Sequence, residues 1–311
     1  TESNPIGYFE FDWVPVGNWL VREIAAPKAF VLTEETFPVE ITEDGQTIEI
    51  TIENQIIKGT AETTKVDADF PENKLSGAVF EVYADVDNNG EFDAEIDKLA
   101  GEMAETEPGL YQMKDLVYGN YFLHEKESPE FFQRDENYYP FSITENEAIV
   151  RIETEAGVGF LNKAQTGSLK VVKTADDDKI EGRTFKITGT DFMGNPYEQE
   201  FQTDENGEIN VELRVGEYTV SEVAGEDAKK YILPDDQTVE IKAGETTTVK
   251  MHNRLVPEVP TVPQTGDHPW TPAVLIGLSV LAVLSAGGLL VLRFAGKKKK
   301  ATGDEDQGAE E

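Results

Sequence analysis

Cysteine is absent from these 311 residues. No disulfide can staple a domain, so stability must come from apolar cores or from another covalent link. Basic residues are scarce: 27 Lys and Arg face 61 Asp and Glu, a formal net charge of −34, with the carboxylates spread along the chain. Such a surface repels nucleic acid and anionic lipid, which removes both as partners of the folded domains and suits an exposed, soluble protein. The histidines, His124, His252 and His268, are too scattered to suggest a zinc site. The repeats contain no Ser/His/Asp, Cys/His or paired-carboxylate active-site pattern, so no enzyme is expected within this segment. No basic-then-apolar leader follows Thr1, and an exported protein needs one. The segment is therefore expected to be the C-terminal part of a longer precursor. Long helical periodicity is also missing outside one C-terminal apolar run.

What the chain does have is a repeat. Gly17-Asn-Trp-Leu-Val-Arg-Glu23, Gly119-Asn-Tyr-Phe-Leu-His-Glu125 and Gly216-Glu-Tyr-Thr-Val-Ser-Glu222 share one phrase. An aromatic follows Gly by two, an aliphatic by four and Glu by six. Even offsets share one face of a strand, so each Glu points with the aromatic toward a core, where a lone carboxylate is costly. A second phrase places Asn on an apolar face: Ile50-x-Ile52-x-Asn54, Val158-x-Phe160-x-Asn162 and Val249-x-Met251-x-Asn253. Glu23 to Asn54 and Glu222 to Asn253 are both steps of 31 residues, and an insertion near Glu145 to Ala156 makes the middle step six longer. A third phrase opens two of the repeats, with Lys65 six residues after Gly59 and Lys173 six after Gly167.

These phrases divide the chain into 1–57, 58–163 and 164–255, the first without opening strands and lysine. Short alternating stretches and Gly or Asp turns fill the space between them, including an expected hairpin from Val239-x-Ile241 to Val249 across Ala243-Gly244-Glu245. The fold class is all-β: tandem β-sandwiches of roughly 80–110 residues each, plus one C-terminal transmembrane helix. The joints are a few residues long, which predicts stiff stacking. Residues 256–261 alternate Val and Pro and read as an extended spacer.

Lys, Glu and Asn on one buried face form a reactive set. An amine in an apolar pocket loses its proton more readily and becomes a nucleophile. A carboxyl in such a pocket can stay protonated, polarise the Asn carboxamide and carry protons. Attack of the amine on Asn Cγ with loss of ammonia gives an isopeptide bond, with Phe80, Tyr121 and Phe160, or Phe185 and Tyr218, excluding water. The predicted sets are Lys65–Asn162 with Glu125, Lys173–Asn253 with Glu222, and a partial set of Glu23 and Asn54. The bland alternative is a solvated lysine, a surface carboxylate and a turn asparagine. Recurrence in register weighs against it.

The phrases resemble the Cna B-type, prealbumin-like repeats of Gram-positive adhesins and pilins, whose Glu lies in a motif of the form Tyr-x-Leu-x-Glu-x-x-Ala-Pro. Trp19-Leu-Val-Arg-Glu23-Ile-Ala-Ala26-Pro27 matches it well, Tyr121 to Pro129 fairly, and Tyr218 to Glu226 lacks the Pro. The resemblance implies prealbumin-like β-sandwiches whose first and last strands join spontaneously.

The C-terminus runs Val262-Pro263-Gln264-Thr265-Gly266, then the uncharged apolar run 273–292, then Arg293 and Lys297 to Lys300, and ends acidic. This arrangement over 262–311 resembles the sorting signal of Gram-positive wall proteins. Twenty apolar residues span a bilayer, and lysines after them favour a cytoplasmic end. The resemblance implies sortase cleavage between Thr265 and Gly266 and transfer of the Thr carboxyl to a peptidoglycan precursor or a pilin amine. The membrane is then a transient partner, through the helix before sorting. The mature protein is extracellular and wall-attached, and a host extracellular ligand would bind an upstream region.

One loop, Asp85-x-Asp87-x-Asn89-Gly90-x-Phe92-Asp93, begins like a calcium site, with Ile96 where a bidentate Glu is expected; apart from calcium no cofactor is expected. The leading expectation is a sortase-anchored stalk of an adhesin or pilin. The alternative is the anchor and spacer of a wall-attached enzyme whose catalytic domain lies upstream. Ala26-Pro27-Lys28 makes no convincing Tyr-Pro-Lys-type polymerisation motif.

Overall fold

An alternating strand buries its apolar face when a second sheet covers it, and two of the three repeats meet that need in full. The computed structural model describes residues 3–4 and 7–258. Spacer residues 259–261, the sorting motif Val262 to Gly266, the apolar run 273–292 and the tail lie outside the described residues. Among the described residues no helix is long and apolar enough to cross a membrane. The described chain is all-β, apart from the 3-10 turn Ala228–Lys230.

In the first repeat, β1 (Gly17–Arg22) pairs antiparallel with β2 (Thr36–Ile41). The second repeat comprises β3 (Lys58–Asp67), β4 (Val79–Ala84), β5 (Lys98–Glu102), β6 (Ala104–Glu107), β7 (Leu110–Val117), β8 (Gly119–Glu127), β9 (Tyr138–Ile143), β10 (Ile149–Arg151) and β11 (Phe160–Asn162). One sheet runs β10-β3-β7-β6, with β11 also on β3, and the other runs β5-β4-β8-β9. The third repeat comprises β12 (Thr166–Ala175), β13 (Thr184–Asp191), β14 (Pro196–Gln202), β15 (Glu208–Arg214), β16 (Gly216–Glu222), β17 (Tyr231–Ile232), β18 (Gln237–Ile241) and β19 (Thr246–Leu255). Its sheets are β15-β12-β19-β17 and β14-β13-β16-β18. Each sandwich has its own core, around Phe80, Tyr111, Leu123 and Phe160 in the second repeat and Leu169, Phe185, Ile187 and Val220 in the third.

The repeated aromatic has a polar job as well as an apolar one. Tyr121 Oη donates to Val117 O at 2.8 Å and Tyr218 Oη to Arg214 O at 2.9 Å. In the first repeat Trp19 Nε1 donates to Pro15 O at 2.9 Å. In all three the ring hooks the carbonyl four residues upstream, which pins the entry of the Glu-bearing strand.

The expected hairpin across Gly244 is corrected. β18 lies beside β16, whereas β19 lies beside β12 and β17, so the two strands belong to opposite sheets. Gly244, at φ +68°, makes the tight turn from which the chain crosses over. Ile241 then closes the core from one sheet and Val249 and Met251 from the other, burial that a flat hairpin would forgo. The insertion after Glu145 splits the closing strand of the second repeat into β10 and β11. Both lie parallel on β3, at Thr60–Glu62 and Lys65–Asp67, with a loop between them tied by Val158 N to Glu155 O.

Candidate cross-linking site

β12 alternates strictly: Gly167, Leu169, Val171, Lys173 and Ala175 are buried and none of the residues between them is. Lys173 thus sits where the pattern calls for an aliphatic. β3 does the same with Gly59, Ala61, Thr63 and Lys65, although the neighbouring Glu62, Val66 and Asp67 are buried as well. Both lysines are at most 1 % exposed. The closing strands run parallel beside them, with Phe160 opposite Lys65 and Met251 opposite Lys173. Two residues further, with the same facing, come Asn162 and Asn253, both buried.

The third member arrives from the other sheet. Glu125 on β8 is fully buried, and its Oε1 lies 3.0 Å from Lys65 Nζ. Asn162 Nδ2 donates to the same Oε1 at 2.8 Å and to Oε2 at 3.0 Å. Asp135 N donates to Oε2 at 2.8 Å, a backbone clamp not visible in the sequence phrases. In the third repeat Lys173 Nζ donates to Glu222 Oε2 at 2.9 Å, and Asn253 Nδ2 to Oε1 at 2.8 Å. One carboxylate therefore holds amine and carboxamide together, twice. Oδ1 of Asn162 and of Asn253 is buried and accepts no hydrogen bond. Such an orphan acceptor costs about 1–3 kcal/mol.

Burial pushes the Lys65 amine down to about 8, against the pull of Glu125. Its Nζ lies 4.2 Å from the Phe160 ring centre and 5.7 Å from that of Phe80. Burial also lowers Lys173, again opposed by its glutamate, with Phe185 5.9 Å away. Tyr121 and Tyr218 belong to the cores, but their hydroxyls serve the strand entry.

The partial set is assembled too. Asn54 Nδ2 donates to Glu23 Oε2 at 2.6 Å and to Val31 O at 3.1 Å. Both residues are half-buried, and among the described residues no cation pairs with Glu23.

In the acidic loop, carboxylate oxygens of Asp85, Asp87 and Asp97 lie within 4.8 Å of one another, and among the described residues this is the group that could hold a cation. The sequence pattern pointed to Asp85, Asp87, Asn89 and Asp93; Asp97 joins through the fold. Asn89 Oδ1 and Asp93 Oδ1 accept from the amides of Glu91 and Glu95. Asp85 takes the amides of Asn89 and Gly90, and Asp97 those of Val86 and Asp93.

The sequence profile of one family, SpaA: Prealbumin-like fold domain, matches residues 1–56, 59–157 and 167–255. No curated protein matches the chain. Among solved structures, the Bacillus anthracis TIE protein is similar, at 26 % identity and a TM-score of 0.59. That likeness covers 81 % of this chain and 44 % of that one, so the chain spans under half the length of this relative. A streptococcal ancillary pilin is 20 % identical over 79 % of this chain and 77 % of its own, with a TM-score of 0.29. A C-terminal fragment of the pilus adhesin SpaC from Lactobacillus rhamnosus GG is 14 % identical over 67 % of this chain and 100 % of its own, with a TM-score of 0.36.

Proposed function

The chain belongs to the SpaA prealbumin-like fold family, and from that premise we propose that it is a structural surface protein whose sandwiches lock themselves with Lys–Asn isopeptide bonds. The observation that carries this reading is the doubled geometry in which one buried glutamate touches both a lysine amine and an asparagine carboxamide. The buried ion pair becomes a neutral amine and a carboxylic acid when the proton passes from Lys to Glu, and desolvation favours that neutral pair. The amine nitrogen then attacks Cγ of Asn162 or Asn253. With the carboxamide turned so that Oδ1 rather than Nδ2 faces the glutamate, the carboxyl group donates to that otherwise unpartnered oxygen and stabilises the developing oxyanion. As the C–N bond to Lys forms, the bond to Nδ2 breaks, and the glutamate carries a proton from the amine to the departing ammonia. The net change is amine plus carboxamide giving a secondary amide plus ammonia.

Each bond would close a loop of about 80–100 residues. By the chain-entropy argument used for disulfides, that contributes on the order of 4–5 kcal/mol. It would also stop a domain from being pulled apart beyond the bond, which suits a stalk under shear that has no cysteine. Anchoring by sortase at Thr265–Gly266, with the wall or a pilin amine as acceptor, completes the proposal and rests on the sequence motif.

The intact mass of the full chain tests it. A product two ammonia molecules lighter than the sequence, returned to full mass by Glu125→Ala together with Glu222→Ala, is the expected result. An unchanged mass would overturn the cross-linking reading and leave the lysines as buried ion pairs.

A further inference from the structure

The two complete sites are alike at their centres and differ at their ends. On β3 the residue two beyond Lys65 is Asp67, which is fully buried and lies in register with Asn162. On β12 the residue two beyond Lys173 is Ala175, in register with Asn253. The next amide holds the closing strand in both, Ala68 N to Asn162 O at 2.9 Å and Asp176 N to Asn253 O at 3.1 Å. The third repeat finishes this end with its own residues: Leu255 N donates to Asp176 Oδ2 at 2.8 Å. The second repeat does not. Asp67 Oδ1 accepts from Asp69 N at 2.9 Å, but Oδ2 accepts from Nη2 of Arg214, which ends β15 of the third repeat.

Two more contacts of the third repeat reach the same site. Asn195 Oδ1 accepts from Asn73 Nδ2, and Asn73 O accepts from the Asp67 amide. Phe192 packs on Phe131 and Phe132, with ring centres 5.2 and 5.3 Å apart. Those two residues lie on the loop that runs on to Asp135, whose amide fixes Glu125. The third repeat thus grips the strand of Lys65, the register partner of Asn162 and the loop behind Glu125.

We propose that Arg214 is a positioning residue for the Lys65–Asn162 reaction, so that covalent closure of the second repeat waits on docking of the third. Without the guanidinium, Asp67 is a lone carboxylate in a buried site, and the end of β3 must shift to bring it to water. Asn162 shifts with its register partner, although amine and Cγ must stay close and aligned to react. A misplacement of about 1 Å can cost on the order of a hundredfold in rate. Lys173 has no such dependence, because Ala175 carries no charge to strand.

This inference rests on the Lys–Asn reading above, and the test separates the two. The full 311-residue chain is made by cell-free synthesis, translation is stopped, and ammonia loss at each pair is followed in time by peptide mapping. Arg214→Ala should slow the Lys65–Asn162 bond by about tenfold or more while Lys173–Asn253 keeps its parent rate. Arg214→Lys should recover most of the lost rate. Asp67→Asn added to Arg214→Ala should recover part of it, since no charge is then stranded. Ile143→Ala, a cut in the core of the second repeat away from the Arg214 contacts, should slow that bond far less. Parent rates at both pairs in Arg214→Ala overturn the inference. Slowing of both bonds together, or equal slowing by Ile143→Ala, also overturns it, by reducing the arginine to ordinary stability. Each of these outcomes spares the reading beneath. No ammonia loss at either pair of the parent chain overturns both.

Discussion

Lys65 shows why a buried lysine is worth its cost. Its amine is driven down to about 8 by desolvation, while Glu125 pulls the other way. In an Asn162→Ala protein the lysine has no acceptor and stays titratable. Between about 8 and the ordinary value of 10.5 the folded state has shed the proton and the unfolded chain has not. The unfolded state therefore binds more protons, and stability rises with pH across that window. The expected result is an unfolding free energy that climbs from pH 8 to 10.5 relative to Asn162→Ala carrying Lys65→Met as well. A flat difference between the two proteins would show that the amine is not depressed. The spacing of Lys, Glu and Asn was legible because strand parity is rigid. The Asp135 amide on Glu125 was not, because it comes from a loop whose path depends on the Phe132–Ala164 bridge.

At the scale of elements, the site depends on how closing strands are held. β11 is three residues long and begins after Gly159, where φ is +142° and an added Cβ would sit 2.6 Å from Thr64 O. Gly159→Ala must lift β11 from β3 or shift β3 itself. The cost should be about 1–3 kcal/mol, as for other overpacked sites. It should also displace Asn162, leaving the chain one ammonia lighter rather than two and mapping the surviving bond to the third repeat. Full cross-linking with unchanged melting would sink this account. The alternation of β12 was readable from the sequence. The fate of β18 and β19 was not. Two alternating runs across a Gly turn look the same whether they pair with each other or cross between sheets, and core closure by Ile241, Val249 and Met251 chose the crossing.

At the scale of the molecule, the second and third repeats share a clamp. Arg214, at the end of β15, ion-pairs with Asp67 of β3 and lies 3.0 Å from Asp191. Its guanidinium lies 5.1 Å from the Phe70 ring centre, 5.5 Å from Phe192 and 5.9 Å from Phe132. Leu75, Phe132 and Ala164 pack with Phe192 beside it, and Asn73 Nδ2 donates to Asn195 Oδ1 at 3.2 Å. Removing the arginine strands two buried carboxylates, so Arg214→Ala should cost about 3–5 kcal/mol. By calorimetry, one joint transition of the two repeats should become two separate ones. A single transition at an unchanged midpoint would mean the clamp contributes nothing to the coupling.

Much was set before any folding was considered. The absence of cysteine, the acidic balance and the three-fold repeat stand in the sequence itself, and the even spacing of Lys, Glu and Asn puts them on one face because a strand repeats every two residues. That is enough to read all-β repeats and to nominate the cross-linking residues. Two things depended on contacts between residues far apart in the chain: the single glutamate shared by amine and carboxamide, and the Arg214 clamp. Each joins elements from different sheets or repeats. No periodicity along the chain encodes such a meeting, and packing of the two sheets and of the two repeats decides it.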